Sequence, residues 1–398
     1  MTYAVSSLAL LLAVSLLGCS AKGTSMPLGQ TSFEAYRQET EAFVQANRTF
    51  VSQDREYELA NNSPREWRPE GQPTKGILFV HGLGDSPWSF TDLGPALAAK
   101  GFLVRAILLP GCGTNPAEMI DVRVEDWRRA VAEQADILGR EVDELYLGGF
   151  SNGSNLALEY AYAHPRVKGL ILFSPAVKSG VGLAFLAPLT SVFKDWILKP
   201  DPGEPDKDSW RYAVVPTNAF AQYHYASRTA RKLLSDKPFD RPVAMVLVEN
   251  DSVVDIPYMV RLFEERFTNP TSRLIYYGQP IAGLSNRVLF RPDKLPEYRI
   301  SSFSHMGVMF APNNPAYGFN TKSPLCQNGQ SDEATARCLA GDEVWYSAWG
   351  LREPNKIHAR LTFNPYFDWQ LETLLGVFSP VPGRALTDAP IEPPPPPK

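Results

Sequence analysis

The sequence predicts an α/β protein with a mostly parallel central sheet, helices on both faces and a helical cap. Apolar strands alternate with helical patterns over residues 76–173 and again over residues 243–277, which indicates a parallel sheet covered on both sides. A glycine-rich turn stands where one of these strands meets the next helix. An aromatic- and leucine-rich segment, residues 178–240, interrupts the alternation between two core strands, as expected for a cap above their carboxyl ends.

The composition is typical of a soluble globular protein and excludes some functions. Of the 398 residues, 44% are apolar and 21% are charged. The formal net charge is −4 and the chain has no basic block, so we expect no nucleic-acid partner. Cys and His residues are not paired at zinc-ligand spacing, and neither a metal nor another cofactor is expected. The sequence indicates no protein partner.

The amino terminus is expected to be a targeting signal. Leu8 to Leu17 is an apolar run of signal-peptide length, too short to span a bilayer. The following Gly18-Cys19-Ser20 completes a segment that resembles the lipobox of bacterial lipoproteins, in which cleavage precedes a cysteine that carries diacylglycerol. Met1 to Ser7 has no Lys or Arg, so an ordinary secretory signal is the alternative. We expect removal of residues 1–18 and a lipid-anchored protein of the cell envelope.

Export would also favour disulfide formation. Cys326 and Cys338 are twelve residues apart in a polar stretch, where a disulfide is expected in an oxidising compartment, while Cys112 is left over.

The sequence divides the chain into six segments. After the signal, we expect a tether, helix and edge segment at 19–75, the first part of the core at 76–177 and the cap at 178–240. The second part of the core follows at 241–380, with loop insertions near 279–298 and 313–355, and a proline-rich tail occupies 381–398.

Ser151 is the candidate nucleophile. A short apolar strand runs into Gly149-Phe-Ser151-Asn-Gly153, and a helical pattern follows at once. In this context G-x-S-x-G marks a sharp strand-to-helix turn that exposes the serine hydroxyl at the carboxyl edge of a sheet. Gly149 and Gly153 must lack side chains because residues two before and two after the serine come close together.

A catalytic serine needs a base, and the base needs an orienting carboxylate. Where G-x-S-x-G is a nucleophile turn of this kind, the chain order is serine, acid, histidine. Asp251 directly follows the strand at 243–248, and Glu249 and Asp255 are its competitors. Asp255 stands near a helix start, where a capping role is the alternative.

His305 is the candidate base. Of the five histidines, His81, His164 and His224 precede the acid. His305 lies in a short apolar and small-residue segment beyond the last core strand, whereas His358 lies in a charged run and is interpreted as a surface residue.

Two backbone amides are expected to form an oxyanion hole. The Asn152 amide stands at the start of a helix beside the serine. Val80-His81-Gly82-Leu83-Gly84 follows the strand at 76–81, and this loop is expected to supply the Leu83 amide, with His81 in a structural role.

These motifs resemble the serine α/β-hydrolases of the bacterial carboxylesterase and monoacylglycerol lipase type. The resemblance covers about residues 76–308 apart from the cap and implies the α/β-hydrolase fold, a Ser151–Asp251–His305 triad and oxyanion amides at Leu83 and Asn152. Two positions depart from the family pattern. Cys112 replaces the usual histidine of Leu-Pro-Gly-His-Gly, and Asn152 replaces the usual methionine after the serine.

The resemblance implies a serine esterase or lipase that cleaves carboxylic esters through an acyl-enzyme on Ser151. The same triad could serve an acyltransferase, a thioesterase or a peptidase, and a catalytically silent envelope binding protein is the alternative outside enzymes. The apolar cap favours an ester or lipid substrate.

Overall fold

The computed structural model describes residues 23–182, 184–200 and 208–378, together with Pro395. The expected signal segment, Cys19 and nearly all of the proline-rich tail lie outside these residues. Among the helices of the described part of the chain, none combines the length and apolarity needed to cross a membrane.

Ten strands and ten α-helices make up the described fold. The strands are β1 (Arg65–Trp67), β2 (Lys75–Val80), β3 (Phe102–Ile107), β4 (Glu144–Phe150), β5 (Val167–Phe173), β6 (Val243–Val248), β7 (Arg273–Tyr277), β8 (Val288–Arg291), β9 (Trp345–Ser347) and β10 (His358–Arg360). The helices are α1 (Phe33–Asn47), α2 (Arg55–Asn62), α3 (Leu93–Ala98), α4 (Val124–Glu141), α5 (Asn152–Ala163), α6 (Ala187–Phe193), α7 (Thr217–Asp236), α8 (Ile256–Arg266), α9 (Asp332–Leu339) and α10 (Phe367–Phe378).

The central sheet has eight strands in the order β1-β3-β2-β4-β5-β6-β7-β8. Only β1, at one edge, runs antiparallel to its neighbour, so the prediction of a mostly parallel sheet is confirmed. β4 lies between β2 and β5, and its last residues pair with the last residues of both. The loops after these three strands therefore meet above the middle of the sheet, where a site can form.

Helices cover both faces of the sheet, as the continuous apolar strands predict. In β2, Leu78 and Val80 pack on one face with α4 and α5. Ile77 and Phe79 pack on the opposite face with α3 and α10. The fold is therefore three-layered, with the functional loops held between two packed cores.

Two segments expected to be loops contain regular structure. Residues 288–291 form β8, which pairs in parallel with β7 and makes the second edge of the sheet. Residues 332–339 form α9, and residues 345–347 form β9, which pairs with β10. The loop assignment was wrong here because these elements have only three to eight residues. So short a segment, between polar and glycine-rich neighbours, shows no recognisable hydrophobic period of a helix or strand.

The cap region, residues 178–240, carries α6 and α7 in its described part. Cap and core are joined by polar contacts as well as by packing. The Tyr212 N–H donates to the Gly84 carbonyl at 2.8 Å. The Asn218 side chain donates to the carbonyls of Met119 and Val122 at 2.9 and 2.8 Å. These bonds place the cap over the loops that follow β2 and β3.

Cys326 and Cys338 are joined in a disulfide, and Cys112 is buried and free. The disulfide ties α9 to the segment that precedes it, at a sequence separation of 12. It therefore closes a short loop in the part of the chain with little regular structure of its own.

Replacing both cysteines, Cys326→Ser with Cys338→Ser, is expected to destabilise the protein by up to about 3 kcal/mol, because the unfolded chain regains the entropy of a loop of this length. Thermal unfolding with and without dithiothreitol measures the effect. The reductant should lower the midpoint of the wild type and leave that of the double variant unchanged. Equal midpoints for all four samples would show that the disulfide contributes nothing.

Candidate active site

Ser151 lies on a strained turn between β4 and α5. Its backbone has φ 53° and ψ −115°, outside the regions that residues with a side chain usually adopt. The turn is held because the Ser151 N–H donates to the Phe173 carbonyl at 2.9 Å, and the Ser151 carbonyl accepts from the Ala176 N–H at 3.2 Å. The hydroxyl of Ser151 consequently stands at the carboxyl edge of the sheet, where the residue is 8% exposed.

The two glycines of the motif are required by close backbone approaches. A Cβ at Gly149 would lie 2.4 Å from the backbone of Gly153, and a Cβ at Gly153 would lie 1.9 Å from the Val80 carbonyl oxygen. Neither position can hold a side chain unless the backbone moves. The glycines therefore let the first turn of α5 sit directly against the end of β2.

The structure brings Asp251 and His305 together. His305 Nδ1 lies 2.6 Å from Asp251 Oδ2, a distance at which the ring N–H donates to the carboxylate. Asp251 Oδ1 accepts from the backbone N–H groups of Val253 and Val254 at 2.8 and 3.0 Å. The Asp251 side chain is fully buried, while that of His305 keeps 15% exposure. The carboxylate is thus fixed and the ring remains accessible.

The segment around His305 is anchored to the sheet. The Ser174 hydroxyl, at the end of β5, donates to the His305 carbonyl at 2.8 Å. The Phe150 ring lies 5.0 Å from the His305 ring, measured between centroids. Because Phe150 precedes Ser151, these contacts place the histidine beside the strained turn.

The competing residues have other partners. Asp255 caps α8 by accepting from the Tyr258 N–H at 3.0 Å, the helix-capping alternative raised from the sequence. Glu249 accepts from the Gln279 N–H at 2.6 Å. His358 is 1% exposed, so its interpretation as a surface residue was wrong. Pairing of β10 with β9 turns this histidine inward, and its neighbouring charges hide that from the sequence.

Leu83 and Asn152 lie on adjacent loops at the centre of the sheet. Val80, at the end of β2, pairs with Gly149 near the end of β4, so the loop carrying Leu83 runs beside Ser151. Among the described residues, neither the Leu83 nor the Asn152 backbone N–H has an acceptor in the protein. Both amides are therefore free to donate to a substrate.

His81 is a structural residue of the Leu83 loop. Its Nδ1 lies 2.8 Å from the Gly82 carbonyl, to which it donates, and its Nε2 accepts from the Leu109 N–H at 3.0 Å. This pattern requires the neutral ring, in agreement with the burial that lowers the pKa of His81 to about 4. The ring links the loop after β2 to the loop after β3.

Cys112 and the Asn152 side chain, the two departures from the family pattern, are both buried. Burial raises the pKa of the Cys112 thiol to about 12, so the thiol is neutral. Cys112 packs beside Gly84 and Tyr212, in the loop that His81 bridges. Asn152 is 1% exposed, and its side-chain amide oxygen and nitrogen have no partner among the described residues.

A cavity of about 530 Å³ opens above Ser151 and His305. Most of its other lining is apolar and comes from the cap and the loops, with Leu83, Ile197, Leu198, Val214, Val215, Phe220, Val253 and Met306. Three charged side chains that the sequence interpretation missed, Asp85, Arg211 and Arg360, also line it. They come from three distant parts of the chain, so no local motif could have indicated them.

The buried His81 ring makes the free energy of unfolding depend on pH. Its pKa is about 4 when folded and about 6.5 when exposed, so the unfolded chain takes up a proton first as the pH falls. Stability is complete above pH 6.5 and falls through pH 4, where about 3 kcal/mol is lost.

Urea unfolding of the wild type and His81→Asn at pH 7 and pH 4 measures this term. We expect a steeper loss for the wild type, since the variant lacks the titrating ring and shares every other group. Parallel losses in the two proteins would contradict the assignment of a neutral, structural His81.

Comparison with known proteins assigns the chain to a family. The family model described as serine aminopeptidase, S33, matches residues 71–277. A thermostable monoacylglycerol lipase of Bacillus sp. (strain H-257) is 32% identical over 102 residues, which are 26% of this chain and 41% of that relative. The chain thus matches less than half the length of this curated relative.

Solved structures resemble the chain at lower identity. A metagenome-derived lipolytic enzyme from a study of LipS and LipT has 22% identity and a TM-score of 0.48, covering 55% of this chain and 88% of its own. A monoacylglycerol lipase of Paleococcus ferrophilus has 20% identity and a TM-score of 0.43, covering 54% and 87%. Because the family model spans just over half of the chain, this protein belongs to the serine aminopeptidase S33 family of α/β-hydrolases.

Proposed function

We propose that this protein is a serine hydrolase that cleaves carboxylic esters, as a carboxylesterase or monoacylglycerol-lipase-like enzyme. The observation that carries the proposal is the 2.6 Å hydrogen bond between His305 and Asp251 at the cavity into which Ser151 projects from its strained turn. A buried carboxylate that orients an accessible imidazole beside a serine is the arrangement that acyl transfer requires.

In the proposed mechanism His305 Nε2 removes the proton of the Ser151 hydroxyl as Oγ attacks the ester carbonyl. The oxyanion that forms accepts hydrogen bonds from the Leu83 and Asn152 amides, each contributing about 2.7–4 kcal/mol to the transition state. His305 then gives its proton to the departing alcohol oxygen, which leaves an acyl-enzyme on Ser151. Water, activated by His305 in the same way, attacks the acyl-enzyme and releases the acid.

The cavity supports an apolar substrate. Its apolar side chains come mainly from the cap, and a space of about 530 Å³ accommodates an acyl chain or another apolar group. The 32% identity to a protein named as a monoacylglycerol lipase supports the same substrate class. We therefore propose a lipid-type ester as the substrate.

Peptide cleavage is the second candidate, because the family description names an aminopeptidase. An aminopeptidase must hold the ammonium group of its substrate, and Asp85 is the carboxylate that lines the described cavity. Arg211 already faces that carboxylate at 3.9 Å. The site therefore favours an ester over a peptide with a free amino terminus.

Replacing Ser151 or His305 by Ala is expected to lower kcat/KM for p-nitrophenyl butyrate by about 10⁴-fold or more, because each removes a group that acts in the transition state. Asp251→Asn is expected to cost about 10⁴-fold, since it misorients the imidazole. A fluorophosphonate probe should label the wild type and not Ser151→Ala. Ser235→Ala, at an exposed serine of α7, is the control and should behave as the wild type.

Labelling of Ser151→Ala, or no labelling of the wild type, would contradict the mechanism and favour a silent scaffold. Assays on an ester series of increasing chain length, a monoacylglycerol and an aminoacyl p-nitroanilide separate ester from peptide substrates. A labelled enzyme that hydrolyses none of them, but transfers the acyl group to added alcohol or thiol, would be an acyltransferase.

We also propose, from the sequence, that Cys19 carries a lipid that anchors the enzyme to a membrane of the cell envelope. Expressed in a bacterium, the wild type should fractionate with membranes, and Cys19→Ser should appear in the soluble fraction. Recovery of both proteins in the soluble fraction would contradict the anchor while leaving the catalytic proposal intact.

A further inference from the structure

The side chains that line the catalytic cavity include more positive than negative charges. Besides His305, the cavity is lined by Asp85, Arg211 and Arg360. Two guanidinium groups and one carboxylate leave one positive charge facing the space above Ser151. The Arg211 side chain keeps 29% exposure, so its charge is accessible to an anion that enters the cavity.

Arg211 is held by the cap and points to the two catalytic loops. Its Nε lies 3.9 Å from Asp85 Oδ1, which is longer than a hydrogen bond. Its Nη1 lies 3.0 Å from the sulfur of Met306, the residue after His305. A thioether is a weak acceptor, and Tyr317 is the other side chain that hydrogen-bonds this guanidinium, so Arg211 keeps part of its hydrogen-bonding capacity for a stronger acceptor.

The hydrogen-bond partners of the Arg360 side chain are neutral. Its Nε donates to Asn328 Oδ1 at 2.6 Å and its Nη2 to the Gln327 carbonyl at 3.0 Å. In the described part of the chain no carboxylate lies within 4.0 Å of this guanidinium. Burial, and then the charge of Arg211, lower the pKa of Arg360 to about 10, so it remains charged at neutral pH. These two neutral contacts use Nε and Nη2 of the guanidinium group and leave Nη1 available.

Asp208 is not an anion within the cavity. It lies close enough to both arginines to interact electrostatically, but it accepts a hydrogen bond from the Tyr317 hydroxyl and does not line the cavity. Its charge acts on both guanidinium groups from outside the cavity. The space between the two arginines is therefore the place where an anion would be best compensated.

We propose that Arg360, assisted by Arg211, binds a carboxylate on the alcohol part of the substrate. The proposal rests on the esterase function above and specifies its substrate class. A guanidinium fork suits a carboxylate in charge and geometry. A single negative charge matches the net charge of the lining, whereas a phosphate dianion would leave an excess beside Asp85.

The position of the subsite assigns it to the alcohol rather than the acyl group. Arg211 contacts Met306, and the Ser304 hydroxyl donates to the carbonyl of Leu361, the residue after Arg360. Both arginines are thus tied to the segment that carries His305. In the mechanism His305 protonates the leaving alcohol, so groups beside it face the alcohol part of the ester.

A matched pair of esters tests the subsite. The butyrate ester of 4-(hydroxymethyl)benzoate carries the carboxylate, and that of 4-(hydroxymethyl)benzamide is its neutral counterpart. Wild-type kcat/KM should favour the carboxylate by about tenfold to a hundredfold. Arg360→Gln should remove this preference, and Arg360→Lys, which keeps the charge, should retain part of it. Arg228→Gln, at an exposed arginine of α7, is the matched control and should leave the ratio unchanged.

Binding to Ser151→Ala, measured by calorimetry, tests the subsite without turnover. Tighter binding of the carboxylate ester, lost in Ser151→Ala/Arg360→Gln and kept in Ser151→Ala/Arg228→Gln, is the expected result. Equal binding of the two esters, or a preference that survives Arg360→Gln, would overturn the subsite. Hydrolysis of the neutral ester by the wild type is scored separately, so a failure of the esterase proposal is recognised by itself.

Discussion

The close approach of α5 to the end of β2 is the constraint on which the candidate site depends. A Cβ at Gly153 would lie 1.9 Å from the Val80 carbonyl, so the helix reaches this position only with glycine. The approach places the Asn152 amide next to the loop that carries Leu83. It also forces Ser151 into a backbone conformation that costs about 1–3 kcal/mol. Two backbone hydrogen bonds hold that strained conformation, one to Phe173 at the end of β5 and one from Ala176 just beyond it.

The second requirement is a histidine that reaches the serine from far along the chain. The parallel sheet brings the two residues together, because the carboxyl ends of parallel strands lie at the same edge whatever the sequence distance between them. Asp251 follows β6, and its carboxylate is fixed by the Val253 and Val254 amides before it meets His305. The Ser174 hydroxyl holds the His305 carbonyl from the end of β5. The pair is thus preorganised by the sheet, which would lower the reorganisation needed in the proposed acyl transfer.

Local patterns explain what could be predicted from the sequence. The strand bounds of β6, expected at 243–248, and the turn at Ser151 follow from an apolar run and glycine positions that act within a few residues. Long-range packing explains the rest. β8 has four residues and exists because β7 offers it an open edge, and His358 is buried because β10 pairs with β9. Arg211 and Arg360 meet only after the cap and β10 converge on one cavity, a juxtaposition that no spacing encodes.

The cap couples the two kinds of recognition proposed for the cavity. Residues 211–215 all line it, so one short segment contributes both the Arg211 charge and the apolar surface of Val214 and Val215. The Tyr212 N–H bonds to the Gly84 carbonyl, in the same loop as Leu83. Movement of this segment would therefore change the apolar lining, the charge and the oxyanion loop together. A substrate that combines an apolar acyl chain with a negatively charged alcohol satisfies all three at once, which is the physical reason to expect selectivity for such amphiphilic esters.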